Sequence, residues 1–332
     1  MGIKIVIIGI GGRTGTMFAY ELENFASVLG VGRETDVGTI RQKKLFVQKK
    51  DKEPELFNVK VVKDSDFSQG INPDIIFLAT KNPVSSVIKY YFERFKGKKI
   101  PILFLSQNGI EALEDSKEAL EEIFGEKAKD IKIIRAVLFN PIDKKKERDN
   151  TYIKYSLPIR LAVLKAQGEG DIKDLVEIFK KASIEVKEFS QKEAKNLEFS
   201  KLFLNLIGMA SASRGLSIKD GFKDKEIFKE EVGSLKEYIR VVKVAGGRFL
   251  NFPHYQVGVL SIVLSLIPTI FLLPFRTFLA EVVSKERGEK PKVLDEINYY
   301  NGAVVSLGEK IGIKTPVNKR VYERALEKLN KV

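Results

Sequence analysis

The chain has 332 residues, 44% of them hydrophobic and 30% charged, the make-up of a folded protein with two domains of ordinary size. It contains no cysteine and one histidine, which excludes disulfides, thiolate nucleophiles and cysteine-ligated metal and leaves too little imidazole for a histidine metal centre or a triad. The formal charge of +13 is spread along the whole chain, so it points to an anionic small ligand and not to nucleic acid.

In chain order, residues 4–8 read as a buried strand, followed at once by Gly9-Ile10-Gly11-Gly12-Arg13-Thr14-Gly15, a helix over 17–25 and a strand over 27–31. No basic segment, apolar segment and cleavage site precede the first strand, so no signal peptide is read and a cytoplasmic protein is expected. Strand, glycine turn, helix and strand open a dinucleotide-binding unit. Further buried-type strands fall at 74–79, 100–106, 131–137 and 159–165, with helices at 84–95 and 111–124 between them. Such alternation predicts an α/β, Rossmann-type, doubly wound and mainly parallel sheet. The Lys-rich stretch 144–148 reads as a solvated loop.

Gly168-Glu169-Gly170 reads as the linker, dividing the chain into a cofactor domain, 1–168, and a C-terminal all-α-helical domain, 169–332. In the second domain the pattern gives a helix over 171–182 with Asp171 as N-cap, a short extended piece at 184–189 and a helix over 192–212. Residues 249–275 carry no Lys, Arg, Asp or Glu. Pro268, Pro274 and the spaced Ser261, Ser265 and Thr269 argue against a membrane span and for a buried helix pair.

Glycines in the first turn let the backbone approach a diphosphate, whose charge meets the free N–H groups of the next helix. Gly9, Gly11, Gly12, Arg13 and Thr14 form this loop, in one of two registers: G-x-G through Gly9 and Gly11, or G-x-x-G through Gly9, Gly12 and Gly15. At the end of the second strand an acid accepts the ribose hydroxyl of NAD, and a base attracts the 2′-phosphate of NADP. Arg33 comes directly off the strand and favours NADP (NADPH); Glu34 beside it leaves NAD open.

Four segments share an order along nearly the whole chain: the glycine loop with Arg33; Ala79-Thr80-Lys81 and Ser106-Gln107-Asn108-Gly109; Phe199 to Asn205, in which Asn205 follows Lys201 by four; and Asp295 to Gly302 with a later Gly312 to Asn318. Together they resemble the ketopantoate reductase family. The resemblance implies NADPH-dependent reduction of 2-dehydropantoate to pantoate, within pantothenate biosynthesis, with Lys201 as general acid and Glu296 orienting substrate or lysine. It further implies Lys81 and Asn108 on the cofactor side, and Asn205, Thr277, Arg276 and Asn301 on the substrate. No metal is implied.

The departures lie at the substrate. Met209-Ala210 stands where the family carries a second Asn, and Arg276-Thr277-Phe278-Leu279 only weakly matches its serine-serine-methionine-leucine motif. Another small 2-oxo acid, an opine-type substrate or a non-catalytic NADPH-binding regulator are the alternatives. The expected partner is a small 2-oxo acid, with neither nucleic acid nor membrane, and a homodimer is compatible with the sequence.

Overall fold

Ile5–Ile8 are all buried, as are residues 75–78 and 103–105, because helices cover both faces of the sheet they form. In the computed structural model, which describes residues 2–67, 70–287 and 290–330, the chain divides into two compact units. The first comprises Met1–Gln107 and Glu111–Ala194, the second Asn108–Ile110 and Lys195–Val332.

The strands of the first unit are β1 (Lys4–Ile8), β2 (Ser27–Gly32), β3 (Leu45–Lys49), β4 (Glu55–Leu56), β5 (Val61–Lys63), β6 (Ile75–Leu78), β7 (Ile102–Leu105), β8 (Ile133–Leu138), β9 (Asp143–Glu147), β10 (Asn150–Tyr155), β11 (Ile159–Gln167) and β12 (Ile184–Glu188). Its helices are α1 (Arg13–Leu22), α2 (Glu34–Arg41), α3 (Ser85–Phe92), α4 (Ala112–Phe124) and α5 (Lys173–Lys181). The main sheet runs β12-β11-β8-β7-β6-β1-β2-β5 and is parallel except where β11 meets β8. Phe77 of β6 stacks on Phe104 of β7 with ring centroids 4.0 Å apart. Phe18 of α1 and Phe179 of α5 meet both rings edge-on, the geometry the ring quadrupole favours. The doubly wound, mainly parallel sheet is thus as expected.

Three features differ from the sequence reading. The first unit continues past Gly168–Gly170, because Ile184–Glu188 pairs in parallel with β11 and α5 packs beside it. A second sheet, β4-β3-β10-β9, was not foreseen; its β9 takes up the lysine-rich stretch expected as a loop. In β10, Thr151, Ile153 and Tyr155 alternate inward, and Tyr155 donates its hydroxyl to Glu21 of α1. Asp171 is not the N-cap of α5, although its Oδ1 accepts from Lys173 N at 3.2 Å.

The second unit is helical: α6 (Ala194–Leu206), α7 (Met209–Ser213), α8 (Ile218–Lys223), α9 (Lys225–Val244), α10 (Val257–Leu266), α11 (Thr269–Leu272), α12 (Arg276–Arg287), α13 (Asn301–Lys310) and α14 (Pro316–Leu329). Asp224 caps α9, accepting from Glu226 N and Ile227 N at 2.9 Å. Arg324 of α14 holds Glu230 of α9 through two hydrogen bonds of 2.8 and 2.9 Å. The expected buried helix pair at 257–275 is not buried. Val257, Ser261 and Leu264 face inward, but Ile262, Leu266, Ile270, Phe271 and Phe275 are exposed. No single helix among the described residues is long and apolar enough to cross a membrane, and the pair that passes together is bent by 118°.

Candidate active site

Beyond β1 the chain turns through Gly9 and Gly11, both at positive φ (+95° and +83°), which glycine adopts without penalty. The close approach of helix to strand falls to Gly15: a Cβ there would lie 2.4 Å from Gly9 O. The turn therefore uses Gly9 and Gly11 of one register and Gly15 of the other. Gly12 is the N-cap of α1, with neither a side-chain cap nor an acidic residue in the first turn. The first-turn N–H groups of Arg13 and Thr14 have no intrahelical acceptors, so they and the dipole are left for an anion. The Arg13 side chain is exposed and does not line the cleft beside the loop.

That cleft, about 660 Å³, is bordered by Gly9, Gly12, Arg33, Asp36, Thr80 and Lys81. Arg33 is the N-cap of α2, and its Nε donates to Asp36 Oδ2 at 2.9 Å while the side chain stays 78% exposed. Glu34 is ion-paired with Lys63 and lies outside the cleft lining. Thr80 Oγ1 is buried without a partner, a group that a ligand would satisfy. Ser106 and Gln107 donate to Leu78 O at 3.0 and 2.9 Å, tying the ends of β6 and β7 together. Free helix N–H groups, a guanidinium and an orphaned hydroxyl around one cleft fit a nicotinamide dinucleotide.

Two basic residues here escaped the sequence reading. Lys144 of β9 donates Nζ to Gly11 O at 2.7 Å, so the lysine-rich stretch delivers an ammonium to the glycine turn. Arg135 is fully buried and donates to Gln107 O at 2.7 Å, fixing the chain just before Asn108. No signal in the sequence separated Lys144 from its neighbours; Arg135 stood out as a charge inside an apolar strand.

The second unit supplies different chemistry. From Leu197 to Ser213 every residue is buried except Lys201, which is partly exposed. A stretch buried nearly all round thus opens at Lys201. Asn205, one turn on and on the same face, is 7% exposed, and its Nδ2 is buried without a partner. Lys292 donates to Asn205 O and Ile207 O at 2.6 and 3.1 Å, closing the end of α6. The break between α6 and α7 is at Gly208, φ +90°, so the single helix expected over 192–212 is two. Glu231 holds this break: it accepts from Gly208 N at 3.1 Å, Ser211 N at 2.9 Å and Ser211 Oγ at 2.8 Å. Burial pushes its carboxyl pKa up against the opposing pull of these donors.

Asn108, expected on the cofactor side, groups with the second unit. Its Nδ2 donates to Glu296 Oε2 at 3.4 Å and Tyr300 Oη at 3.3 Å, and Tyr300 Oη donates to Glu296 Oε2 at 3.0 Å. Tyr300 was missed, although it follows Glu296 by four.

Two expected substrate contacts have other partners in the fold. Asn301 is fully buried, donating to Asn318 Oδ1 at 2.9 Å in a polar network with Ser234 that joins α9, α13 and α14; it has no surface to offer a ligand. Arg276 donates Nε to Lys223 O at 3.0 Å and Nη1 to Leu273 O at 3.1 Å, so part of its guanidinium closes a turn. Thr277 beside it is exposed.

The sequence matches the family pattern described as ketopantoate reductase PanE/ApbA over residues 5–145 and the C-terminal pattern of that family over 294–328, together more than half of the chain. No curated protein matches. Among solved structures, a PanE/ApbA family ketopantoate reductase from Ralstonia eutropha JMP134 is similar with a TM-score of 0.75 at 15% identity, covering 99% of each chain. D-mandelate dehydrogenase with NADH and anilino(oxo)acetate gives 0.73 at 15% identity, covering 98% of each. The 2-dehydropantoate 2-reductase from Geobacter metallireducens GS-15 gives 0.68 at 17%, covering 98% of this chain and 99% of that one. At such identities these likenesses speak for the fold. The two family segments, in order and on either side of the lysine helix, establish that this chain belongs to the ketopantoate reductase PanE/ApbA family, nicotinamide-dependent oxidoreductases that act on 2-oxo and 2-hydroxy acids.

Proposed function

We propose that the protein reduces 2-dehydropantoate to pantoate with NADPH, Lys201 being the proton donor. The observation that carries this is the break in burial at Lys201 in the stretch from Leu197 to Ser213, with the unpaired Asn205 Nδ2 one turn away. A bound nicotinamide supplies the hydride to the carbonyl carbon. As negative charge builds on the carbonyl oxygen, the Lys201 ammonium stabilises it and transfers a proton to it, giving the hydroxyl. Asn205 Nδ2 donates to a substrate oxygen. Glu296, whose Oε2 already accepts from Tyr300 and Asn108, keeps Oε1 for a substrate hydroxyl. Arg33 supports the choice of NADPH, because Glu34 is taken up by Lys63 while Arg33 borders the cleft.

A second reading, reduction of another small 2-oxo acid, is favoured by Met209, which is fully buried where the family has a second Asn, and by the committed guanidinium of Arg276. The test is NADPH oxidation with 2-dehydropantoate, repeated with NADH and with a panel of 2-oxo acids including the one related to mandelate. Fastest turnover of 2-dehydropantoate with NADPH is expected. Faster turnover of another acid moves the assignment to the second reading, and NADPH binding without turnover of any acid overturns both in favour of a regulator. A cytoplasmic location belongs to the same proposal and is checked by recovery without detergent.

A further inference from the structure

The strands β2 and β5 are parallel neighbours with Gly32 opposite Lys63, so the residues that follow, Arg33 and Asp64, leave the sheet side by side at its carboxyl edge. Both border the cleft beside the glycine turn. Across from them α3 presents Val87, Tyr90 and Tyr91 to the same cleft, residues three and four apart that share one helical face. The cleft thus changes character along its length. One end has a glycine turn and a guanidinium, the other two aromatic rings and a carboxylate.

This second end is held in place by its own contacts. Tyr91 is buried and donates its hydroxyl to Asp64 Oδ1, with its ring edge-on to Phe67 at 5.3 Å. Tyr90 is 48% exposed, yet its hydroxyl donates to Asp64 O at 3.3 Å. The Arg94 guanidinium lies 4.1 Å from the Tyr90 ring centroid and also donates to Tyr90 O. An exposed ring pinned in this way has already lost the freedom that stacking a base on it would otherwise cost. Asp64 Oδ2 has no partner among the described residues. A carboxylate is an unfavourable neighbour for a polyanionic ligand unless that ligand brings an N–H to it.

We propose that Asp64 and Tyr90 select the base of the dinucleotide: the adenine lies against the Tyr90 ring, and its exocyclic amino group donates to Asp64 Oδ2. The inference rests on the cofactor half of the proposed function, which puts the 2′-phosphate on Arg33. The base is attached to the ribose that carries this phosphate, so it falls beside Arg33, where Asp64 stands. Stacking on Tyr90 is open to any base, and selectivity therefore comes from Asp64. A purine with a carbonyl at the amino position turns a lone pair toward the carboxylate. Tyr91, by occupying Oδ1, fixes which oxygen meets the base.

The test is binding of NADPH and of its deaminated analogue, in which hypoxanthine replaces adenine, followed by nicotinamide fluorescence and independent of any 2-oxo acid. The wild type should bind NADPH more tightly by about 10–100-fold, the worth of a hydrogen bond to a charged group. In Asp64→Asn the amide oxygen still accepts from Tyr91, and an N–H₂ group takes the place of Oδ2 and donates to the hypoxanthine carbonyl. The preference should vanish or invert. Tyr90→Leu should weaken both cofactors by roughly tenfold and leave their ratio unchanged. Equal binding of the two by the wild type, a comparison that needs no variant to fold, overturns the assignment and leaves the NADPH reading standing. An Asp64→Asn protein that keeps the wild-type ratio does the same, and a wild type that binds neither cofactor overturns both.

Discussion

Replacing Lys201 by Met separates chemistry from folding. Met keeps the unbranched stem in the gap of α6 and has a helix propensity close to that of Lys, so packing of the fully buried neighbours Leu202, Phe203 and Asn205's helix face is retained. Removing one partly exposed charge should change stability by no more than about 1 kcal/mol, a melting shift of at most roughly 4 °C for a chain of this size. A positioned proton donor contributes about 10²–10⁴-fold, or roughly 3–5 kcal/mol of barrier. Steady-state NADPH oxidation should therefore fall by that factor in kcat, while the dissociation constant for NADPH, measured by nicotinamide fluorescence, stays the same. Lys201→Arg keeps the charge on a group that does not release its proton, so it should recover substrate affinity but little of the rate. A Lys201→Met enzyme that folds normally and retains kcat within about threefold, against the 10²-fold minimum, would refute the role assigned to this amine.

Arg33→Ala should raise the KM for NADPH by roughly 10–100-fold, the worth of charged hydrogen bonds to a phosphate, and leave that for NADH nearly unchanged. Lys144→Ala removes an ammonium from the glycine turn, where the diphosphate common to both cofactors would sit; KM for NADPH and NADH should rise together by about fivefold, with Lys146→Ala, on the same exposed strand, as the silent control. Glu230 is held below its ordinary pKa of 4.5: burial pushes it up, but hydrogen bonds and charge from Arg324 and Arg214 outweigh this. Its folded pKa being depressed, the stabilisation is complete above pH 4.5 and is lost as the pH falls through the folded value. Melting temperatures taken from pH 7 down to pH 3 should therefore drop more steeply for wild type than for Arg324→Met, and parallel curves would discount the pair.

The central strands β1, β6, β7 and β8 were legible because they are buried almost along their whole length, so each shows as a single apolar run of sequence. The second sheet follows other rules. Every residue of β9 is exposed, so nothing apolar marks it, and its lysines suit an uncovered edge. In β10 the inward alternation of Thr151, Ile153 and Tyr155 was present in the sequence but spans only six residues beside a run of charges. The break at Gly208 depends on Glu231, a partner too distant in sequence for any local pattern to connect them. Residues 257–275 show a deeper limit. Hydrophobicity reports that a side chain avoids water, and it does not say whether the fold puts that side chain in the core or, as for Ile262, Leu266 and Phe271, on an exposed face.

The candidate site was readable to a different degree in its two halves, for a physical reason. A diphosphate is recognised mostly by backbone, so the constraint falls on glycines at fixed spacing, and Gly9, Gly11 and Gly15 state it in seven consecutive residues. Substrate recognition falls on side chains from separate elements, whose directions no spacing reveals. Asn205 was placed correctly on the face of Lys201 because both ride one helix. Asn301 and Arg276 were given to a ligand, whereas Asn301 Nδ2 donates to Asn318 and the Nε and Nη1 of Arg276 donate to the carbonyls of Lys223 and Leu273. A buried amide or guanidinium must first satisfy its own fold. Polar groups left over after that accounting and placed at the site, as Asn205 Nδ2 beside Lys201 and Thr80 Oγ1 at the cleft are, are available for recognition, which makes them the positions where substitutions should alter selectivity before they alter stability.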